Sequence, residues 1–338
     1  MVTIKEIAAE AGVSVMTVSN VVHNNLSKVS PATVERVRGI IAKYNYVPNM
    51  AARSLITNAS HIIAVLLPLW NQTASSLLLD PYTGYMTGML ETLLREKGYY
   101  VMLCSFHSAE QVLTVQQNWR VDGSVLVLPH EDTITRALVR ASAAPLVVLD
   151  RRYDDLPMLC VTVDDRKGGY ISTKHLLERG HTRIGFAGPS MADSSVIRDR
   201  YAGYLDALAE RGVTANPVWH FDNFYGLHGG EEISRAVARM PEKPTAIVAT
   251  EDFLACGIIK GCREEGMQVP RDLSVTGFDD SPAARLVTPE LTTVRQDVLK
   301  KAQHAVNMLL EAIGVRQVRE RSAVMDVELF ESGSVARI

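Results

Sequence analysis

Three short apolar runs in this 338-residue chain end in carboxylates: "VVLD" in Asp150, "VATED" in Glu251 and Asp252, and "GFDD" in Asp279 and Asp280. Carboxylates are hydrogen-bond acceptors, and the ends of buried parallel strands are where open α/β sheets take their ligands. Any one of them could equally be the N-cap of the helix that follows. Arg200, in "RDRYAGY", falls at an expected helix start, where a cation opposes the helix dipole unless it has a partner. One guanidinium facing several carboxylates across a cleft would suit a hydroxyl-rich ligand, with bidentate donors on one side and acceptors on the other. Tyr82, Phe224 and Trp70 could supply flat faces for a sugar ring, or could simply be core.

The first 58 residues suggest another chemistry. "TIKE" (Thr3 to Glu6) has capping-box spacing, and Ile4, Ile7, Ala8 and Ala11 follow at helical intervals. Gly12 suits the helix stop, and Ser14 is a good N-cap for a second helix with Val18, Val21 and Val22 facing inward. Helix, short turn, helix is the spacing of a helix-turn-helix. A third helix opens at "SPAT" with Ser30 and Pro31, and Val34, Val37, Ile40, Ile41 and Tyr44 would close the core. The outward face of the second helix carries Val15, Met16, Thr17, Ser19 and Asn20. It could be a plain solvated face, but two apolar residues at a helix N-terminus serve no solvated face. A helix in the major groove reads bases with its first residues. Asn20 can pair bidentately with adenine, Val15 and Met16 can touch thymine methyls, and Thr17 and Ser19 suit phosphate oxygens.

These elements need a scaffold. From Ile62 onward, apolar runs such as "IIAVLL", "GSVLVL", "RIGFAG" and "AIVAT" alternate with amphipathic stretches such as "KGGYISTKHLLERG" and "YAGYLDALAERG". That alternation predicts doubly wound parallel sheets, and the number of units predicts two of them behind the small all-α head. The head carries Lys5, Lys28, Arg36, Arg38, Lys43 and Arg53 against Glu6, Glu10 and Glu35, a net of +3, whereas the whole chain is −3. A basic head on an acidic body fits a polyanionic partner for the head.

Composition narrows the classes. The chain is 47% hydrophobic and 22% charged, an ordinary globular balance, and no apolar run is long enough to span a bilayer. "MVTIKEIAAE" lacks the apolar core of a secretory leader, so a cytoplasmic chain is expected. Cys104, Cys160, Cys256 and Cys262 are scattered, which predicts reduced thiols and no metal site. There is no P-loop, no G-x-S-x-G and no H-E-x-x-H, and the six-residue spacing of His175 and His181 is a poor metal pair. An enzyme is therefore not expected, and a secreted sugar-binding protein would lack the head.

In "TIKEIAAEAGVSVMTVSNVV" and "YVPNMAARSL" the sequence resembles the LacI–GalR family of bacterial transcriptional repressors, and the likeness continues through "LERGHTRIGFAG", "PTAIVATEDFLACG" and "VPRDLSVTGFDDSPAARLVTPELTTVRQ". The resemblance implies a helix-turn-helix domain over 1–47, a hinge over 48–59, and an effector-binding and dimerisation domain of periplasmic-binding-protein type over 60–338. Within the last, an N-subdomain of about 60–162 plus 293–322 and a C-subdomain of about 163–292 plus 323–338 are implied. It makes residues 49–55 a hinge helix in the minor groove, with Leu55 as the wedge that kinks the operator and Asn49 and Arg53 near the backbone. The candidate DNA contacts are thus Thr3, Ser14, Val15, Met16, Thr17, Ser19, Asn20, Asn49, Arg53 and Leu55. Carried over residue by residue, Asp150, Arg200, Phe224 and Asp279 fall on effector-contacting positions, and Tyr82 and Thr83 near another. Glu251 replaces a usual asparagine. A carboxylate only accepts, which favours hydroxyls or an amine over an anion. Asp165 also stands where asparagine is common, and the sequence offers no account of it.

The resulting expectation is a homodimeric repressor of carbohydrate-utilisation genes on a pseudo-palindromic double-stranded operator, its affinity changed by a sugar-type effector at Tyr82, Thr83, Asp150, Arg200, Phe224, Glu251 and Asp279. A purine co-repressor is the alternative. No cofactor, metal or membrane partner is expected.

Overall fold

The computed structural model describes residues 2–22, 24–46, 59–69, 77–128, 133–153, 155–192, 194–314 and 321–338. Of the residues singled out above, Asn49, Arg53, Leu55 and Trp70 lie outside the described residues. The chain divides into two units, residues 1–60 and 61–338.

The first unit is a three-helix bundle. Helix α1 (Ile4–Ala11) opens with the full capping box: the Glu6 amide donates to Thr3 Oγ1 at 3.3 Å, and the Thr3 amide donates to Glu6 Oε2 at 2.7 Å. Gly12, at φ 63°, ends it in a left-handed turn that a side chain would resist. Helix α2 (Val15–Val22) starts at Ser14, whose Oγ accepts from the Thr17 amide at 3.1 Å. Helix α3 (Pro31–Lys43) is capped by Ser30 with proline in its first turn. Ile7, Ala8, Ala11, Val18, Val21, Val34 and Val37 form the buried core. Ile40 and Ile41 pack at its margin, but Tyr44 does not close it: it falls past the end of α3 and is 39% exposed.

The second unit holds two six-stranded sheets. The first comprises β1 (Ile62–Pro68), β2 (Tyr100–Phe106), β3 (Gly123–Leu126), β4 (Leu146–Leu149), β5 (Leu159–Val163) and β11 (Ser322–Met325), in the order β11-β5-β4-β3-β1-β2, all parallel. Helices α4 (Pro81–Glu96), α5 (Ala109–Trp119), α6 (Thr133–Ala141) and α11 (Val298–Gly314) belong to this lobe, and α4 and α11 pack on each other. The second sheet comprises β6 (Ile184–Gly188), β7 (His220–Asp222), β8 (Ala246–Ala249), β9 (Ser274–Asp279), β10 (Thr292–Arg295) and β12 (Glu328–Phe330), in the order β12-β10-β9-β8-β6-β7. Only the β10–β12 pair is antiparallel. Its helices are α7 (Asp165–Glu178), α8 (Ser195–Glu210), α9 (Gly226–Arg239) and α10 (Asp252–Glu264). The central strands are buried on both faces, which is why they read as unbroken apolar runs.

The chain passes between lobes three times, after β5, after β10 and after β11. Two of the passages come later than the resemblance implied, because β10 belongs to the second sheet and β11 to the first. The four short strands β7, β10, β11 and β12 have no apolar run long enough to announce them.

Close helix packing fixes the site. A Cβ at Gly169 on α7 would lie 1.9 Å from the carbonyl oxygen of Arg200 on α8, and one at Gly203 would lie 1.9 Å from the carbonyl of Arg166. Backbone meets backbone here, so Gly169→Ala must push α8 outward. A loss of about 1–3 kcal/mol is expected in chemical denaturation, together with weaker effector binding as Arg200 moves. An unchanged midpoint would show that α7 and α8 can slide apart freely.

Candidate functional site

A cavity of about 360 Å³ lies between the lobes at the C-terminal ends of the strands. Tyr82, Thr83, Asp150, Arg200, Glu251 and Asp279 all line it. Phe224 does not. Its ring packs edge-on against Phe221 at 6.4 Å and joins the core beneath β8 and β9. Its neighbour Tyr225, 42% exposed, lines the cavity in its place, together with Phe253. Alternation along an extended segment turns adjacent side chains to opposite sides, so a one-residue shift exchanges core for cavity.

Asp150 follows β4 with φ 61°, and Asp279 ends β9 with φ 116°. Both are left-handed backbones that side chains resist, and such strain persists only where surrounding contacts hold it. Asp150 is held by Lys301, a fully buried side chain on α11 whose ammonium pairs with Asp150 Oδ1. Lys301 Nζ also donates to Tyr82 Oη at 3.0 Å and to Gln296 Oε1 at 2.9 Å, so its three protons meet three acceptors. Tyr82 Oη donates in turn to Asp150 Oδ2 at 2.7 Å, and Gln296 Nε2 donates to Asp279 Oδ1 at 2.6 Å. One hydrogen-bonded chain thus runs from Asp150 on the first sheet through Lys301 and Gln296 to Asp279 on the second. Burial, with Asp150 beside it, holds the Tyr82 phenol well above its ordinary range, so it stays a donor.

Arg200 lies in the second turn of α8 rather than at its start. Its Nε donates to Asp165 Oδ1 at 2.8 Å, Nη1 donates to the Thr250 carbonyl, and the guanidinium stacks 3.4 Å from the Phe278 ring centroid. Asp165 is therefore the counter-charge of Arg200, a role asparagine could not fill. Burial pushes the Asp165 carboxyl up, and Arg200 and Lys301 oppose that push.

Thr83 is fully buried and serves Asp80, the N-cap of α4: its amide and Oγ1 both donate to Asp80 Oδ1 at 2.7 Å. Asp80 lines the cavity as well. Glu251 accepts from the Gly226 amide at 2.8 Å, and burial, with Asp80 beside it, raises its carboxyl to about 7. Asp252 accepts from the Ser281 amide at 2.6 Å and from Thr293 Oγ1 at 2.5 Å. Burial raises both carboxyls of Asp252 and Asp279; Asp280 adds to the rise at Asp252, and Asp252 adds to the rise at Asp279. The Thr250 hydroxyl, on a cavity-lining residue only 2% exposed, has no partner among the described residues.

Sequence reading missed Lys301, Gln296, Asp80, Tyr225 and Phe253. Lys301 did leave a signal: it falls on the buried stripe of α11 with Val298, Ala302, Ala305 and Leu309. A lysine on an apolar helix face needs a buried counter-charge.

In the first unit, Val15 and Met16 at the start of α2 are 42% and 70% exposed. Asn20 stands one turn beyond Met16, on the same face, and Thr17 and Ser19 are half-buried beside it. Ser14 Oγ and Thr17 Oγ1 are 2.9 Å apart, and Thr3 is tied to Glu6 through its hydroxyl at 2.9 Å. The helix thus presents apolar and amide groups outward at its N-terminal end, the geometry of a major-groove reader. No described helix is long and apolar enough to cross a membrane, and no group of described side chains is placed to hold a metal ion.

A helix-turn-helix unit preceding a two-lobed, acceptor-lined cleft defines a ligand-responsive DNA-binding regulator. Residues 3–49 match the model of the bacterial regulatory proteins of the lacI family, and residues 173–335 match the periplasmic binding protein-like domain. The HTH-type transcriptional repressor PurR of Haemophilus influenzae (strain PittEE) is 34% identical over 323 residues, covering 93% of this chain and 91% of that one. PurR of Aliivibrio salmonicida is 29% identical over the full length of both chains. Among solved structures, the Lac repressor dimer bound to operator and the anti-inducer ONPF superposes with a TM-score of 0.86 at 26% identity, over 99% of each chain. The CelR–cellobiose complex gives 0.73 at 26% identity, over 99% of this chain and all of that one. The chain belongs to the lacI family of bacterial regulatory proteins. It is a DNA-binding transcriptional repressor with a small-molecule effector domain.

Proposed function

We propose that the cleft binds a small sugar-type effector and that this changes the affinity of a cytoplasmic homodimer for a pseudo-palindromic operator controlling carbohydrate-utilisation genes. The observation that carries the reading is the set of polar groups placed in an otherwise apolar cavity wall, among Leu79, Leu128, Val196 and Ile197. Asp80, Asp150, Glu251 and Asp279 offer acceptors, Arg200 offers donors, and Tyr225 and Phe253 offer flat apolar faces. Sugar hydroxyls both donate and accept, and their ring faces stack on aromatic side chains. The likeness to a cellobiose-bound regulator supports it. A ligand touching both lobes favours the closed arrangement by its differential affinity for it. Residues 48–59 follow the helix-turn-helix and precede the first strand of the lobes in sequence, so coupling to the head is assigned to them. Leu55 is assigned there as the wedge in the operator's minor groove, with Asn49 and Arg53 near the DNA backbone.

A purine effector is the second reading. The two aromatic faces suit a base as well as a sugar, and the Haemophilus influenzae and Aliivibrio salmonicida relatives are PurR repressors.

Fluorescence anisotropy of a labelled duplex from upstream of the gene, at fixed salt, with panels of sugars and purines, separates the two. Operator affinity altered by a sugar upholds the first reading, and alteration by purines alone replaces it with the second. In the same assay, Asn20→Ser should relax the preference for one operator base by about 1–3 kcal/mol. Undiminished preference at every position would remove Asn20 from base reading.

A further inference from the structure

The charges around the cleft do not balance. Of the four lining carboxylates, only Asp150 has a cation of its own, the buried Lys301. Arg200, the lining cation among the described residues, is already bonded to Asp165. Asp80, Glu251 and Asp279 form no ion pair among the described residues, and Asp252 adds a further carboxylate behind them. They come from both lobes: Asp80 caps α4 of the first, while Glu251 precedes α10 and Asp279 ends β9 in the second. Carboxylates enclosed together hold protons they would otherwise release, and burial with Asp80 nearby does this to Glu251, with Arg200 and the Gly226 amide offsetting only part of the rise. A phosphate or carboxylate on the ligand would worsen the imbalance, whereas a neutral sugar would leave it as it stands.

We propose that the effector is an amino sugar, whose ammonium is taken by Asp80 of one lobe and by Glu251 and Asp279 of the other. The ammonium then acts as the counter-ion that closes the cleft, while the hydroxyls meet Arg200. The proposal rests on the sugar reading of the same cavity, and narrows it to one substituent.

The test is calorimetric titration of the full-length protein at neutral pH with matched sets, namely glucose, galactose and mannose, their 2-amino and 6-amino forms and the N-acetylated forms of each amine, and with hypoxanthine and adenine alongside. At least one amine should bind tenfold or more tightly than both its hydroxyl parent and its N-acetyl form, which has the bulk without the charge. That ratio should collapse towards one in Glu251→Gln and in Asp80→Asn, where asparagine still caps α4. Thermal melts of both variants show whether they remain folded. Equal binding of amine and parent, or binding of parents alone, overturns the amine and leaves the sugar reading intact. Binding of hypoxanthine or adenine with no sugar in any set overturns both.

Discussion

Lys301→Met should cost about 3–5 kcal/mol of unfolding free energy, the largest loss expected from a single side chain in this protein. Removing the ammonium leaves the Asp150 carboxylate, 8% exposed, with the Tyr82 hydroxyl as its one remaining side-chain partner among the described residues, on a backbone already in the left-handed region. It also frees Gln296 Oε1 and breaks the link to Asp279. Most of the cost is the stranded carboxylate rather than the lost attraction, so Asp150→Asn in the Lys301→Met background should recover a substantial part. Urea titrations of the four proteins in the double-mutant cycle measure this. A single-variant loss below about 1 kcal/mol would mean that water reaches the pair.

Glu251→Gln should stabilise the protein at alkaline pH. The carboxyl is raised by burial from its ordinary 4.5 to about 7, with Asp80 and Asp252 adding to the shift and the Gly226 amide and Arg200 opposing it. A raised carboxyl binds more protons folded than unfolded, so its contribution is complete below about 4.5 and is lost as pH rises to about 7. Above that, the wild type carries a penalty on the order of 2–3 kcal/mol that glutamine lacks. Glutamine still accepts the Gly226 amide. The variant should therefore unfold at higher denaturant than the wild type at pH 8, with the gap closing towards pH 4. A gap of equal size at both ends would refute the titration as its cause.

Much of this site could be read from residue order, because strand ends advertise themselves. Asp150, Glu251 and Asp279 each follow a run whose apolarity comes from burial on both faces, and the position after such a run is the ligand end of the sheet. The head was equally open: Thr3, Gly12, Ser14, Ser30 and Pro31 are local signals, and local contacts set those helices. Tertiary partners were hidden. Nothing local to Asp165 names Arg200, 35 residues on, and nothing near Asp150 names Lys301, 151 residues on. Phe224 and Tyr225 differ by one step of an extended segment, and neither residue type states which faces the cleft. Strands β10, β11 and β12 are three or four residues long and take their places only once the lobes exist.

The late position of those strands bears on how the protein is made. While a ribosome is still short of Ser322, β5 ends the first sheet with an unpaired edge, and β10 likewise awaits β12 in the second. Both sheets receive their last strand within a stretch of nine residues, 322–330, so both close at nearly the same moment of synthesis. Until then two bare edges are open to pairing with neighbouring nascent chains. A premature stop just before Ser322 would therefore damage not one lobe but two, and would yield aggregates rather than a repressor deaf to its effector.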